Sequence, residues 1–267
     1  MNLDDDDTNL IKAMLSDERL APLVAMTGDV RAAIELHQDI LKLGTLLMPV
    51  TATVEIALRN MVCDCLSAHF GASDWLLRPP APFQWRRVEN DKIGQALSSA
   101  RRAEYAKKSQ AEKHALDSLA FPTGRPANLT HSQRAKRRQS QIVVSDGKVV
   151  AELTMYFWKK MYSGDYEETL WKPALKRTFP NKSLRRSDVS PRLETIYQTR
   201  NRLAHHEPVY GWRMSEVLTA IDFVLNNLGG ANSANERSLS KLLQTDLDHL
   251  NECNALLQSK IDKFQRT

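Results

Sequence analysis

Cysteine is scarce in this 267-residue chain: Cys63, Cys65 and Cys253 make an odd number with no C-x-x-C spacing. That excludes a disulfide framework and a thiolate zinc site, and leaves three reduced thiols. No apolar run approaches the ~18 residues that mark a transmembrane helix. The N-terminus opens with Asp4 to Asp7 instead of a basic region followed by an apolar one. Neither a membrane span nor a secretory signal is expected, which points to a cytoplasmic protein. A glycine-rich phosphate loop is missing too, because Gly229 and Gly230 lack a following lysine and a flanking strand pattern. The seven histidines, His37, His69, His114, His131, His205, His206 and His249, include no H-E-x-x-H and no i, i+4 pair. No metal and no cofactor is therefore expected. Strands have almost no candidates beyond Gln141-Ile142-Val143-Val144 before Asp146-Gly147.

What remains is helix. Apolar residues make up 42% of the chain and charged residues 26%, enough to bury a substantial core in one large all-α domain with appendages. The periodicity predicts helices at 9–27, in two pieces broken around Ala21-Pro22, then at 30–47 and 50–70, with Pro49 in a first turn. A long polar helix is expected over 87–119, and further helices over 149–162, 166–178, 187–206 and 213–228. Between them, the Pro- and Gly-containing stretch from Phe121 to Asn128 and the basic run after it read as an exposed connection, 122–148. Tyr156, Phe157, Trp158, Tyr162, Trp171 and Phe179 read as core anchors. Leu243, Leu247, Leu250, Asn254, Leu257, Ile261 and Phe264 alternate spacings of four and three, a heptad seam with Asn254 at an a position. Such a seam serves either an intermolecular coiled coil or a helix folded back on its own bundle.

The net charge is +5, and setting aside the four aspartates at 4–7 raises the remainder to +9. A surplus of that sign favours polyanions. The cations are grouped: Arg101, Arg102, Lys107 and Lys108; Arg134, Lys136, Arg137 and Arg138; and Lys182, Arg185, Arg186 and Arg192. One such run is commonly a solvated helix face. Three of them make a candidate phosphate-tracking surface, and Arg134, Lys136, Arg137, Arg138, Arg185, Arg186 and Arg192 are its RNA-binding candidates.

The most informative stretch is Arg200-Asn201-Arg202-Leu203-Ala204-His205-His206-Glu207-Pro208. Val189, Leu193, Ile196, Leu203 and Ala204 give its helix one apolar stripe, and Arg200 falls on it. A guanidinium on an apolar seam needs an anionic partner or a wet cleft. Pro208 pushes Glu207 out of the helical region, so the helix should stop just past His205. Over five residues an unbroken helix turns by roughly 140° beyond a full turn, which points Arg200 and His205 apart. Their convergence needs a frayed end or a second copy of the helix.

Arg200 to His205, with polar Asn201 after the arginine, resembles the R-x4-6-H motif of the HEPN superfamily. The string RNRLAHHEPVY at 200–210 is similar to the Abi-like branch of that superfamily. VEIALRNMVCDCLSAHFGASDWL at 54–76 and VVAELTMYFWKKMYSGDYEETLW at 149–171 extend the likeness, in order, over roughly 30–228. The resemblance implies a HEPN-like helical bundle over 30–228, with an N-terminal helical extension at 1–29 and a C-terminal helix at 229–267. It implies an abortive-infection or toxin–antitoxin role, with an antitoxin protein or RNA as a further partner. It also implies a homodimer in which paired motifs form a metal-independent ribonuclease site.

In that scheme the 2′-hydroxyl of RNA attacks its own phosphodiester, His205 transfers protons and Arg200 holds the non-bridging oxygens. Asn201 orients the phosphate or the histidine, and His206 serves as a second acid or base. The resemblance also packs the segment holding Glu55, Arg59 and Asn60 beside the motif helix, where Glu55 or Asn60 would support Arg200 or His205. The plainer account of Glu55 and Arg59, four apart, is a surface ion pair. The alternative to a nuclease is a non-catalytic RNA-binding or regulatory module using the same charges, and a third is a purely structural helical protein.

Overall fold

In a computed structural model the chain is all-α, and no strand occurs among the described residues, 3–124, 126, 128–231 and 236–266. Arg125 and Ala127 of the expected connection, Met1 and Asn2 of the expected extension, and 232–235 and Thr267 of the C-terminal segment lie outside them. The helices are α1 (Asp5–Leu15), α2 (Asp17–Thr27), α3 (Val30–Phe70), α4 (Arg87–Lys107), α5 (Gln110–Ala120) and α6 (His131–Ser140). They continue with α7 (Asp146–Glu152), α8 (Met155–Lys160), α9 (Arg186–Ala204), α10 (Trp212–Asn227) and α11 (Ser238–Arg266). Two compact units result, one of Met1–Asn60 with Arg177–Thr267, the other of Met61–Lys176.

The acidic run at the N-terminus is a helix start. Asp4 and Asp7 cap α1 reciprocally, and Asp5 to Asp7 place negative charge on its positive end. The break between α1 and α2 falls at Ser16, with φ 73°, and Pro22 is carried inside α2 instead of breaking the pair. The two helices expected at 30–47 and 50–70 are one, because Pro49 is accommodated within α3 on an exposed face. As a single helix, α3 is long and apolar enough by length and composition to cross a membrane, which the separate segments were not. One row of it is core: Leu36, Leu47, Val50, Val54 and Leu58 all have 0% exposure.

In the first unit α9 packs on α10, with Val189, Leu193 and Ile196 of α9 and Met214, Val217 and Ile221 of α10 fully buried. The heptad seam of α11 is spent in the same core. Leu243, Leu250, Leu257 and Ile261 are buried within one chain, and Lys260 Nζ lies 2.8 Å from Asp39 Oδ2 of α3.

The second unit departs further from the periodicity. The helix expected at 87–119 is broken after Lys107, where Ser109 Oγ accepts from the Glu112 N–H and Glu112 Oε2 accepts from the Ser109 N–H at 2.8 Å. The connection expected over 122–148 contains α6, started by a capping box of Thr130 and Gln133, and the beginning of α7. The helix expected at 166–178 is a run of 3-10 and π turns. Pro173 offers no N–H to continue an α-helical ladder there, and the Lys172 N–H reaches five residues back to Glu167 at 3.0 Å. Aromatics fill the core as expected: Phe157, Trp158, Tyr162 and Trp171 are buried, and Phe83 meets Trp85 edge-on at 4.9 Å. The Tyr166 hydroxyl donates to buried Glu89 at 2.7 Å.

The packing makes a stability ranking. Leu193→Ala should cost about 2–5 kcal/mol by leaving a cavity under α9, and Ser109→Ala about 1 kcal/mol by removing a cap. Urea unfolding followed by circular dichroism checks the order.

Candidate functional site

The end of α9 is built by its own backbone. His205 caps the helix, its N–H donating to the Asn201 and Arg202 carbonyls at 3.0 and 3.2 Å. His206 then takes a left-handed conformation, φ 55°. Its N–H donates to the Leu203 carbonyl at 3.1 Å, and the Glu207 N–H to the Arg202 carbonyl at 2.8 Å. This is a Schellman closure with histidine where glycine is the usual choice. The side chains reinforce it, Arg202 Nη1 lying 2.8 Å from Glu207 Oε2. The end of α9 is thus closed, not frayed.

Arg200 lies beside the buried stripe with its side chain 41% exposed, and its Nε sits 3.5 Å from Oε2 of Glu55, which is 15% exposed. A pair this open is worth no more than about 1 kcal/mol. Its main effect is orientation, since the carboxylate aims the guanidinium while leaving other N–H donors free to meet an anion. Glu55 thus pairs with α9 and not with Arg59. Arg59 is half-buried, with Nε lacking a hydrogen-bond partner, and Asn60 is exposed. Asn201 is half-buried, and helical spacing places it on the same face as His205, which is exposed.

Close packing fixes where this end lies. A Cβ built on Gly44 of α3 would come within 3.2 Å of Leu203 Cδ2, so the two helices approach there through the missing side chain. On the other side Arg19 of α2 donates from Nη1 to the His206 carbonyl at 2.8 Å. Arg19, His206 and Tyr210 also line a cavity of about 50 Å³ whose remaining walls are largely apolar. Into it comes His37, 6% exposed, with neither ring nitrogen hydrogen-bonded. Burial, and then the Arg19 guanidinium, hold its pKa below the ordinary imidazole value. His37 falls four before Leu41 and three after Ile34 on the apolar stripe of α3, which was the available signal for it. Arg19 carries no such signal.

The basic candidates divide. Arg134, Lys136, Arg137 and Arg138 belong to the second unit, on α6. Arg138, 7% exposed, and Arg134 both bind Asp117, with Arg138 Nε 2.6 Å and Nη2 2.7 Å from its two oxygens. Those guanidinia hold the Asp117 carboxyl well below the usual range, Arg138 contributing most. Lys136 and Arg137 remain exposed, Arg137 over the Phe121 ring at 5.6 Å. In the first unit, Arg185 pairs with Asp188 at 3.6 Å, Arg186 is half-buried, and Arg192 stacks over Phe223 at 5.9 Å. Among the described residues no three His, Cys, Asp or Glu side chains converge as a metal-ligand set.

Comparison of the chain with protein-family models, curated proteins and solved structures finds no match.

Two outcomes follow from this geometry. His206→Gly should leave stability unchanged or raise it by about 1 kcal/mol, because the left-handed position suits glycine, as thermal melts will show. Below about pH 6.5 the unfolded chain protonates His37 more readily than the folded one does, so stability should fall as pH drops through that value toward the lower folded pKa. His37→Phe should flatten this dependence in urea titrations between pH 7.5 and 5.

Proposed function

We propose that this chain is a metal-independent endoribonuclease of the HEPN type, close to the Abi-like branch, acting on RNA in the cytoplasm as a homodimer. The observation that carries the reading is a half-exposed guanidinium, 3.5 Å from a half-buried carboxylate, five residues from an exposed imidazole at a closed helix end. Arg200 holds the non-bridging oxygens of a phosphodiester and offsets the charge that grows as the 2′-oxygen adds to phosphorus. His205 accepts the proton of the attacking 2′-hydroxyl or supplies one to the departing 5′-oxygen, and its counterpart from a second subunit performs the other transfer. Asn201, on the face of His205, orients the imidazole or the phosphate. The products are a 2′,3′-cyclic phosphate and a 5′-hydroxyl.

Two features support pairing. Because α9 does not fray, about 140° of helical rotation separates Arg200 and His205 in one subunit, and a second α9 can complete the site. The α3 segment that carries Glu55 also exposes Met48, Ala52 and Ile56 at i, i+4 spacing, with Met48 at 45% and Ile56 at 47% exposure. An apolar ridge of that kind is an association surface. Four residues of the α11 seam, Leu243, Leu250, Leu257 and Ile261, are buried inside the chain, and the α3 ridge beside α9 is the face this reading assigns to dimerisation. A toxin of this type is held silent by an antitoxin protein or RNA.

The second reading is a non-catalytic RNA-binding module that uses the same charges, with His205 serving only as the cap of α9. His205→Ala and Arg200→Ala separate the two. As a nuclease the chain should lose cleavage by about 10²–10⁴-fold in either variant with RNA binding retained, chelator should have no effect, and DNA should resist. A parent protein that binds RNA and never cuts it supports the module. Sedimentation at micromolar concentration should show a dimer.

A further inference from the structure

The second unit carries an open groove of about 1060 Å³ between α4 and α6. Its cations are Arg101 and Arg102 from α4 and Lys136 from α6, against a single carboxylate, Asp91. Arg101 is fixed there by donating from Nε to the Ile142 carbonyl at 3.1 Å, while Arg102 and Lys136 are exposed. Serines from both helices, among them Ser98 and Ser132, and side-chain amides make up most of the rest.

What the groove lacks is as informative. No lining side chain is aromatic, and the only apolar contributions are Gly94 and Ala135. Protein partners are held mainly by aromatic and aliphatic anchors seated in pockets, and none fits here. Bases of single-stranded nucleic acid are held by stacking on aromatic rings, and none is offered. Hydroxyls, amides, guanidinia and an ammonium are the groups that contact phosphate and sugar.

We propose that the α4–α6 groove holds the sugar–phosphate backbone of RNA without regard to base sequence. The choice of RNA rests on the nuclease reading above. The groove assigns the second unit a task distinct from cleavage: retaining the strand. Within α6 the task falls to Lys136, since Arg134 and Arg138 are engaged by Asp117.

The test is fluorescence anisotropy of the full chain with fluorescein-labelled 2′-O-methyl oligonucleotides of uridine and of adenosine, which bind but cannot be cut through a 2′-hydroxyl. Salt is varied from 50 to 300 mM. The double variant Arg102→Gln/Lys136→Gln is compared with Arg78→Gln/Lys172→Gln, two exposed cations of the same unit outside the groove. The two oligonucleotides should bind within about twofold of each other, because the groove offers backbone contacts alone. The groove variant should weaken binding about tenfold and lower the slope of log affinity against log salt by about 1.4, roughly 0.7 for each lost phosphate contact. The control should change neither.

An unchanged slope in the groove variant, no binding by the parent chain, or equal displacement by polyglutamate would each overturn the proposal, the last by naming an acidic polypeptide as the occupant. Cleavage of unmodified RNA is scored beside it. Cutting by the parent with the groove variant unaltered in affinity removes the groove and leaves the nuclease. Groove-dependent binding without cutting does the reverse.

Discussion

The approach of α9 to α3 is the constraint on which the candidate site depends. Leu203 reaches the space left by the absent side chain of Gly44, and both helices carry fully buried rows of apolar residues. Arg200 sits at the edge of that interface, one helical turn past Ile196, where a charge is tolerable only with an anion beside it. Glu55 is that anion. Burial of hydrocarbon thus sets the position of a guanidinium whose own ion pair contributes little to stability.

The other end of the same helix is fixed by backbone chemistry. Pro208 denies Glu207 the helical region, and the chain reverses at His206 in a conformation that glycine would adopt more easily. Arg19 holds the reversed peptide through the His206 carbonyl, with buried His37 lining the same cavity. The two adjacent histidines therefore differ in backbone: His205 is the cap of α9, whereas His206 carries the left-handed turn, and both are exposed.

Much of this was legible in the residues. The all-α class, the limits of α9 and α10, the aromatic core and the stripe that carries Arg200 all follow from hydrophobic period and proline position, because those features are local. The joining of 30–47 to 50–70 into one helix was not legible. Pro49 at the start of one helix and Pro49 inside a longer one give the same apolar pattern, and tertiary burial decides between them. The break at Ser109 was written as a capping box, S-x-x-E, within a stretch whose polarity reads as continuous helix. Partners of charges are the least local property of all. Nothing around Arg138 foretells Asp117, twenty-one residues earlier, or that two cations of one basic run turn inward while Lys136 and Arg137 face out. The surplus of positive charge is real, but about half of that run is spent inside the protein.

If Arg200 and His205 together perform transesterification on RNA, as proposed, the chemistry of the cut ends records it. Purified protein is incubated with a defined RNA in the presence of chelator and both new termini are identified by mass spectrometry. One fragment should end in a 2′,3′-cyclic phosphate and the other begin with a 5′-hydroxyl. A 3′-hydroxyl with a 5′-phosphate, or RNA left intact by the dimeric protein, would contradict it.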